Sequence, residues 1–147
     1  MNTQYKNVYP MKRIIASIYD FLLLLSVIFI LGYLSVFISN GFNWELPEDP
    51  SVPLLPGWYA VLLISFSSWG FFSFFWTRGN KTLGMAVWKI EIYSIDGKRI
   101  TLKQTFKRFV CNLIIFAMLG LPLLQIYFTK DKVAFNDIIS GTRLRIV

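Results

Sequence analysis

Asp20 is the residue whose placement demands chemistry, because it sits inside a run of apolar side chains that extends from Ile14 to about Ile38. A carboxylate at bilayer depth costs up to about 3 kcal/mol even on permissive scales, so it requires a partner, water or a proton. Arg13 lies seven residues earlier on the same helical face, yet the two Cα atoms are roughly 10.5 Å apart and both side chains lean toward the N-terminus. A direct Arg13–Asp20 bridge is therefore disfavoured, and the face reads as a polar stripe with Ser17 between the two charges. Arg108, at the head of a later apolar block, is the expected countercharge for Asp20, while Asp137 is placed to bind Arg13. These pairs either fix helix positions or line a polar path on which Asp20 binds a proton or a cation.

Other chemistries are excluded by residue type. The chain has no histidine and one cysteine, Cys111, which removes Ser-His triads, histidine zinc sites, thiolate clusters and intramolecular disulfides. An aspartyl mechanism would need Asp20 and Asp137 to share a proton at close range, and Asp137 lies in a polar stretch without a catalytic signature. The reading is of a non-enzymatic protein with no cofactor and no metal.

The elements that must hold these residues follow from the distribution of hydropathy. Of the 147 residues, 55% are apolar and only 16% charged, below the quarter or so usual for soluble domains. The apolar residues are gathered in blocks rather than dispersed with helical or strand periodicity, and a bilayer is the simpler solvent for them. The first block, about 14–38, is roughly 37 Å long as a helix and spans a ~30 Å hydrocarbon core with tilt. Its length, the interruption at Asp20 and the lack of an A-x-A site argue against a cleaved signal peptide. The second block, about 56–76, carries Trp58 and Tyr59 at one end and Trp76 at the other, as interfacial belts require, with Ser65, Ser68 and Ser73 inside. The third, 109–128, would just span, but Gly120-Leu121-Pro122 divides it and Asn112 and Gln125 lie within it; it crosses once with a kink, or dips in and returns against the other helices.

Between the second and third blocks, residues 77–108 carry Arg78, Lys81, Lys89, Lys98, Arg99, Lys103, Lys107 and Arg108 against Glu91 and Asp96. Lys6, Lys12 and Arg13 precede the first block, whereas the loop after it holds Glu45, Glu48 and Asp49 with no basic residue. The positive-inside rule then places the N-terminus and the basic loop in the cytoplasm, and the plasma membrane is the expected location. Lys130, Lys132, Arg143 and Arg145 favour a cytoplasmic C-terminal tail, 129–147, as well. The basic face orients the protein and offers contacts to anionic headgroups; nucleic acid is not expected. Met85–Tyr93 is rich in β-formers, and Asp96-Gly97 separates it from Arg99–Thr101, which predicts a hairpin. Thr101 with Gln104 forms a capping-box pattern before a basic amphipathic turn, and the alternation of Thr142–Val147 predicts a last strand. The expected fold is an all-α membrane helical bundle with a small cytoplasmic β-hairpin or sheet, in a single domain over 1–147.

Arg13, Ala16 and Asp20, spaced R-x-x-A-x-x-x-D, together with Asp137 in Phe135-Asn136-Asp137-Ile138-Ile139-Ser140-Gly141-Thr142, resemble the arginine and two aspartates that name the RDD family. Thr82-Leu83-Gly84 before the β-rich segment, Asp96-Gly97 in the turn, and Arg108 opening the last block are similar to the family's pattern, from about Tyr9 to Val147. Met85 replaces a common lysine and Asn136 a usual glycine or histidine, and the Thr82–Gly84 turn lacks Walker-loop spacing. The resemblance implies a membrane domain with Arg13, Asp20, Arg108 and Asp137 as its motif residues, supported by Ser17, Gly84 and Thr142. It also implies a transport role, with cation or proton exchange proposed for some members. One chain of two or three spans is too small to enclose a path, so transport requires a homo-oligomer or a membrane partner. The alternative is a membrane scaffold or assembly subunit that moves no solute.

Overall fold

The computed structural model describes residues 8–43, 45, 49, 51–128 and 133–147. Lys6, Glu48, Lys130 and Lys132, used above to orient the chain, lie outside them. The described chain is mostly helical. Helix α1 spans Pro10–Ser39 and α2 spans Gly57–Gly79. Both are long and apolar enough to cross a membrane. Pro10 starts α1 four residues ahead of the apolar block, at a position where its missing N–H is not needed. Asn80, in the left-handed region, ends α2.

The stretch 77–108 is not the β-hairpin loop its composition predicts. Leu83–Val87 is a short helix, α3, capped by Thr82, whose hydroxyl accepts from the backbone N–H of Met85 at 3.2 Å. Strand β1 is therefore confined to Ile90–Ser94. The turn at Asp96-Gly97 does form, with Gly97 N–H donating to the Ser94 carbonyl at 3.1 Å. It does not lead into a paired strand, because Arg99–Thr101 is spent on starting helix α4, Leu102–Ala117. There the capping box is complete: Thr101 accepts from Gln104 N–H, and the Gln104 side chain accepts from Thr101 N–H at 3.0 Å. The partner of β1 is the predicted last strand, β2, Thr142–Ile146, antiparallel with Ile90 opposite Ile146 and Ser94 opposite Thr142. Gln104 ties α4 to this sheet by donating to the Ser94 hydroxyl at 2.9 Å.

After Ala117 the chain turns sharply. Leu119 and Gly120 both take positive φ, and Gly120 N–H closes back on the Ile115 carbonyl at 2.8 Å, a Schellman-like helix end. Pro122, which has no N–H to donate, then forbids continuation. A 3-10 turn, Leu121–Leu124, passes into the short helix α5, Gln125–Phe128, and this pair is bent by 103° from α4. Leu123 and Ile126 pack back on Ile115 of α4 together with Ala134. Helix α6, Phe135–Ser140, follows and lies along α4. After the bend the chain comes back on itself: α4 leaves the sheet end of the molecule, and α6 and β2 arrive back at it.

A compact apolar core occupies that end, formed by Ala16 of α1, Trp76 of α2, Met85, Ile90, Ile92, Ile100 and Leu144. The rest of α1 and α2 is different in kind. Phe29, Ile30, Tyr33, Trp58, Val61 and Phe66 are more than half exposed, a pattern in which large apolar side chains face outward along two long helices.

Candidate functional site

The R-x-x-A-x-x-x-D spacing puts Arg13, Ala16 and Asp20 on one face of α1, and two separate elements dock on that face at successive levels. Nearest the N-terminus is α6. Asp137, 1% exposed, sits between two guanidinium groups, with Arg13 Nη1 2.7 Å from its Oδ2 and Arg108 Nη1 2.7 Å from its Oδ1. Arg108 donates to Asp137 and, also at 2.7 Å, to the Thr142 hydroxyl. Arg13 meets the other carboxylate oxygen as a close ion pair, and its Nε donates to the Val8 carbonyl at 3.1 Å. Ser140 bridges Thr142 and the Asn136 carbonyl, each at 2.6 Å, and Asn136 donates to Asn112 of α4 at 2.7 Å. The Arg108 guanidinium also lies 5.7 Å from the Trp76 ring centroid, a cation–π contact to α2.

Two arginines and one aspartate leave this buried cluster with one formal positive charge in excess. The desolvation cost is met only because Asp137 is shared and most donors are otherwise satisfied. The cluster ties α1, α2, α4, α6 and β2 together at one point.

Asp20 belongs to a different junction. It is 3% exposed, and its carboxylate accepts from the Thr82 hydroxyl at 2.5 Å and from Gly84 N–H at 2.8 Å. A side chain of α1 thus supplies an acceptor to the first turn of α3, where backbone N–H groups have no helical partner. The approach depends on two small residues. A Cβ on Gly84 would overlap the Ala16 carbonyl oxygen and stand 2.9 Å from the Asp20 carboxyl carbon. Ala16, 2% exposed, is equally constrained by the helix pressed against it.

Several expected placements are corrected by this geometry. Arg108 is not the countercharge of Asp20; it is held by Asp137 and Thr142, because β2 returns beside α4 and brings both acceptors to it. Among the described residues no basic side chain forms an ion pair with Asp20. Ser17 is not part of the stripe, since it is exposed and its hydroxyl donates to the Ile14 carbonyl at 2.7 Å. The 100° helical step places Ala16, not Ser17, between Arg13 and Asp20 on the docking face. The Arg13–Asp137 contact is the one the residue pattern pairs; Gly84 and Thr142, named from the sequence only as supporting residues without partners, lie against Asp20 and Arg108 respectively. Thr82, Asn112 and Ser140 escaped sequence reasoning as site residues; Thr82 was legible only as part of Thr-x-Gly. Asp20 and Asp137 have different partners and share no hydrogen bond. Among the described residues no three His, Cys, Asp or Glu side chains converge as a metal site requires.

Thr82→Val removes the hydroxyl that donates to Asp20 and caps α3, keeping volume nearly constant. Stability should fall by about 1–3 kcal/mol, the penalty for leaving a buried acceptor unsatisfied. Thr82→Ser should restore most of it. Thermal unfolding in detergent checks both, and an unchanged Thr82→Val protein would show that Asp20 finds another donor.

No curated protein and no solved structure matched the chain. The model of the RDD family matches residues 8–141, a span that includes Arg13, Asp20, Arg108 and Asp137 and therefore both junctions described above. With nine-tenths of its length covered by that match, the chain belongs to the RDD family.

Proposed function

We propose that this protein is a non-enzymatic integral membrane scaffold or assembly subunit. In this reading α1 and α2 cross the plasma membrane, the α4–α5 segment re-enters it, and the N-terminus, α3, the sheet and α6 lie in the cytoplasm. Charge bias supports the orientation: Arg78, Lys98, Arg99, Lys103 and Lys107 gather at the sheet end, while Glu45 and Asp49 lie in the α1–α2 connection. Helix α4 packs on α2, and N–H groups at the bend after it are bonded within the segment, Gly120 to the Ile115 carbonyl at 2.8 Å and Leu123 to the Gly120 carbonyl at 2.9 Å, which lowers the cost of irregular backbone at membrane depth. The observation that carries the functional reading is the use made of the charges. Asp137 is consumed by two arginines and Asp20 by the N-terminus of α3, so both acids hold the cytoplasmic cap onto the helices.

A specific feature favours a second reading, transport of a proton or small cation by an oligomer. Asp20 is buried in an apolar helix with no ion-pair partner among the described residues, which is the setting of a proton-binding carboxylate. Proteoliposomes discriminate. The scaffold reading expects wild-type protein to move protons and monovalent cations no faster than protein-free liposomes. It also expects Asp20→Asn to lower the yield of folded protein. A wild-type flux lost in an Asp20→Asn protein of normal yield and unfolding temperature would overturn the scaffold and establish transport.

A further inference from the structure

Contacts between the two long helices fix which of their residues lie at one height. The Ser35 and Tyr59 hydroxyls are 3.1 Å apart, and a Cβ on Gly32 would stand 4.0 Å from the Leu63 side chain. At the other end Ala16 and Trp76 share one apolar core. The helices are antiparallel neighbours, and fourteen residues along each from the Ser35–Tyr59 contact, Phe21 of α1 comes level with Ser73 of α2. Helix α4 touches both. Thr105 is bonded to Ser73 at 2.9 Å, and the Phe116 ring stacks on Phe21 with centroids 6.3 Å apart. Thr105 and Phe116 are separated by roughly 16.5 Å of helix, so α4, meeting α2 and α1 at a single height, lies across them rather than along them. The bend that follows is no deeper, since a Cβ on Gly120 would stand 4.0 Å from the side chain of Ile14, near the start of α1.

The roll of α4 agrees. Gln104 donates to Ser94 of the sheet, whereas Phe106, about 200° further round the helix, meets Trp69, one turn deeper on α2 than Ser73, with ring centroids 5.9 Å apart. One flank of α4 thus faces the cap and the opposite flank faces the body of the spans, which a helix parallel to them could not do. Residue type follows the flanks. The three charges of α4, Lys103, Lys107 and Arg108, lie with Gln104 within about 140° of arc, and Phe106, Leu113 and Phe116 lie within about 80° on the other side. The last three are more than half exposed. Phe21 stands roughly 10.5 Å along the apolar block that begins at Ile14, short of its midpoint.

We propose that α4 lies in the plane of the cytoplasmic leaflet and that Phe106, Leu113 and Phe116 form a contact surface for the acyl chains of that leaflet alone. The inference rests on the insertion of α1 and α2 proposed above and sets the depth of the re-entrant segment. An amphipathic helix with its apolar flank sunk roughly 5–10 Å into the boundary between headgroups and acyl chains is the ordinary form of such a segment. Acyl chains are the occupant because the surface is continuous with the outward faces of both spans. Phe106 adjoins Phe66 of α2 in one apolar groove, Phe116 adjoins Phe21 of α1, and Phe66 and Phe21 are themselves exposed. A water-soluble partner would have to cover the same faces that insertion gives to lipid.

Spin labels test the placement. The full chain, with Cys111→Ser removing the native thiol, is reconstituted in phosphatidylcholine bilayers and labelled singly at Val110→Cys, Leu113→Cys or Ala117→Cys, all exposed positions of α4, and at Ser26→Cys, exposed at the middle of the α1 block. The ratio of collisions with oxygen to collisions with a water-soluble nickel complex reports depth. The three α4 labels should agree within about 5 Å, one helical pitch, and lie nearer the surface than the Ser26 label. A helix along the spans would instead bring Val110 to the depth of Ser26 and carry Ala117 roughly 10.5 Å beyond it. A spread above about 5 Å among the three would overturn the in-plane placement. So would α4 labels open to the nickel complex, or closed to both reagents by a second copy, while the Ser26 label sits in lipid; insertion would then stand. A Ser26 label in water would remove the membrane reading itself.

Discussion

Asp137→Ala should be the most damaging single substitution in this protein, lowering stability by about 3–5 kcal/mol, the range for removing one partner of a buried ion pair. Asp137 is the only acid in contact with Arg13 and Arg108 among the described residues, and both guanidinium groups are more than nine-tenths buried. Its loss leaves two like charges facing each other where one carboxylate had served both. The same reasoning orders the neighbouring substitutions. Arg13→Met removes the excess positive charge and leaves a one-to-one Arg108–Asp137 pair, so it should be the mildest of the three. Arg108→Met leaves a balanced pair too, but strips Thr142 and Asp137 of their shared donor and should fall between. Unfolding temperature and folded yield in detergent measure the order. If Asp137→Ala were no worse than Arg13→Met, electrostatic balance would not be what holds α6 to α1.

Gly84→Ala should come next, with a loss of about 3 kcal/mol, at the upper end of what overpacking a close contact costs. The added methyl cannot be accommodated by a rotamer change, because the first atom it meets is the backbone carbonyl oxygen of Ala16. Helix α3 must therefore move off α1, and the hydrogen bond from Gly84 N–H to Asp20 lengthens or breaks with it. The buried carboxylate then faces apolar surroundings with one donor fewer. Gly70→Ala in α2 is the matched control, since a Cβ there meets nothing within 4 Å. It should change stability by less than about 0.5 kcal/mol, as isolated surface positions do. Equal behaviour of the two variants would mean that α3 is not seated on α1 as described.

The two substitutions probe junctions that fail independently. One joins α1 to α6 and α4 through charge, the other joins α1 to α3 through close approach and hydrogen bonding. Their effects should add unless the cap moves as one body, in which case the double variant Gly84→Ala/Arg13→Met would cost less than the sum.

The sequence by itself determined the two long helices, the break at Gly120-Leu121-Pro122, the capping box at Thr101–Gln104, the last strand and the importance of Arg13, Asp20, Arg108 and Asp137. Each of these is a local property: a run length, a residue without an N–H, a side chain three positions from its acceptor, or a charge in the wrong solvent. The partners were another matter. That Asp20 turns to Thr82 and Gly84 rather than to Arg108, and that β1 pairs with Thr142–Ile146 rather than with Arg99–Thr101, depends on segments more than 45 residues apart meeting in space. Hydropathy and charge specify what a side chain requires, and several candidates satisfy that requirement equally well on paper. Only the return of the chain through the bend after α4 brings Asp137 and Thr142 to Arg108 first, and leaves the small residues Ala16 and Gly84 to decide what can come close enough to Asp20.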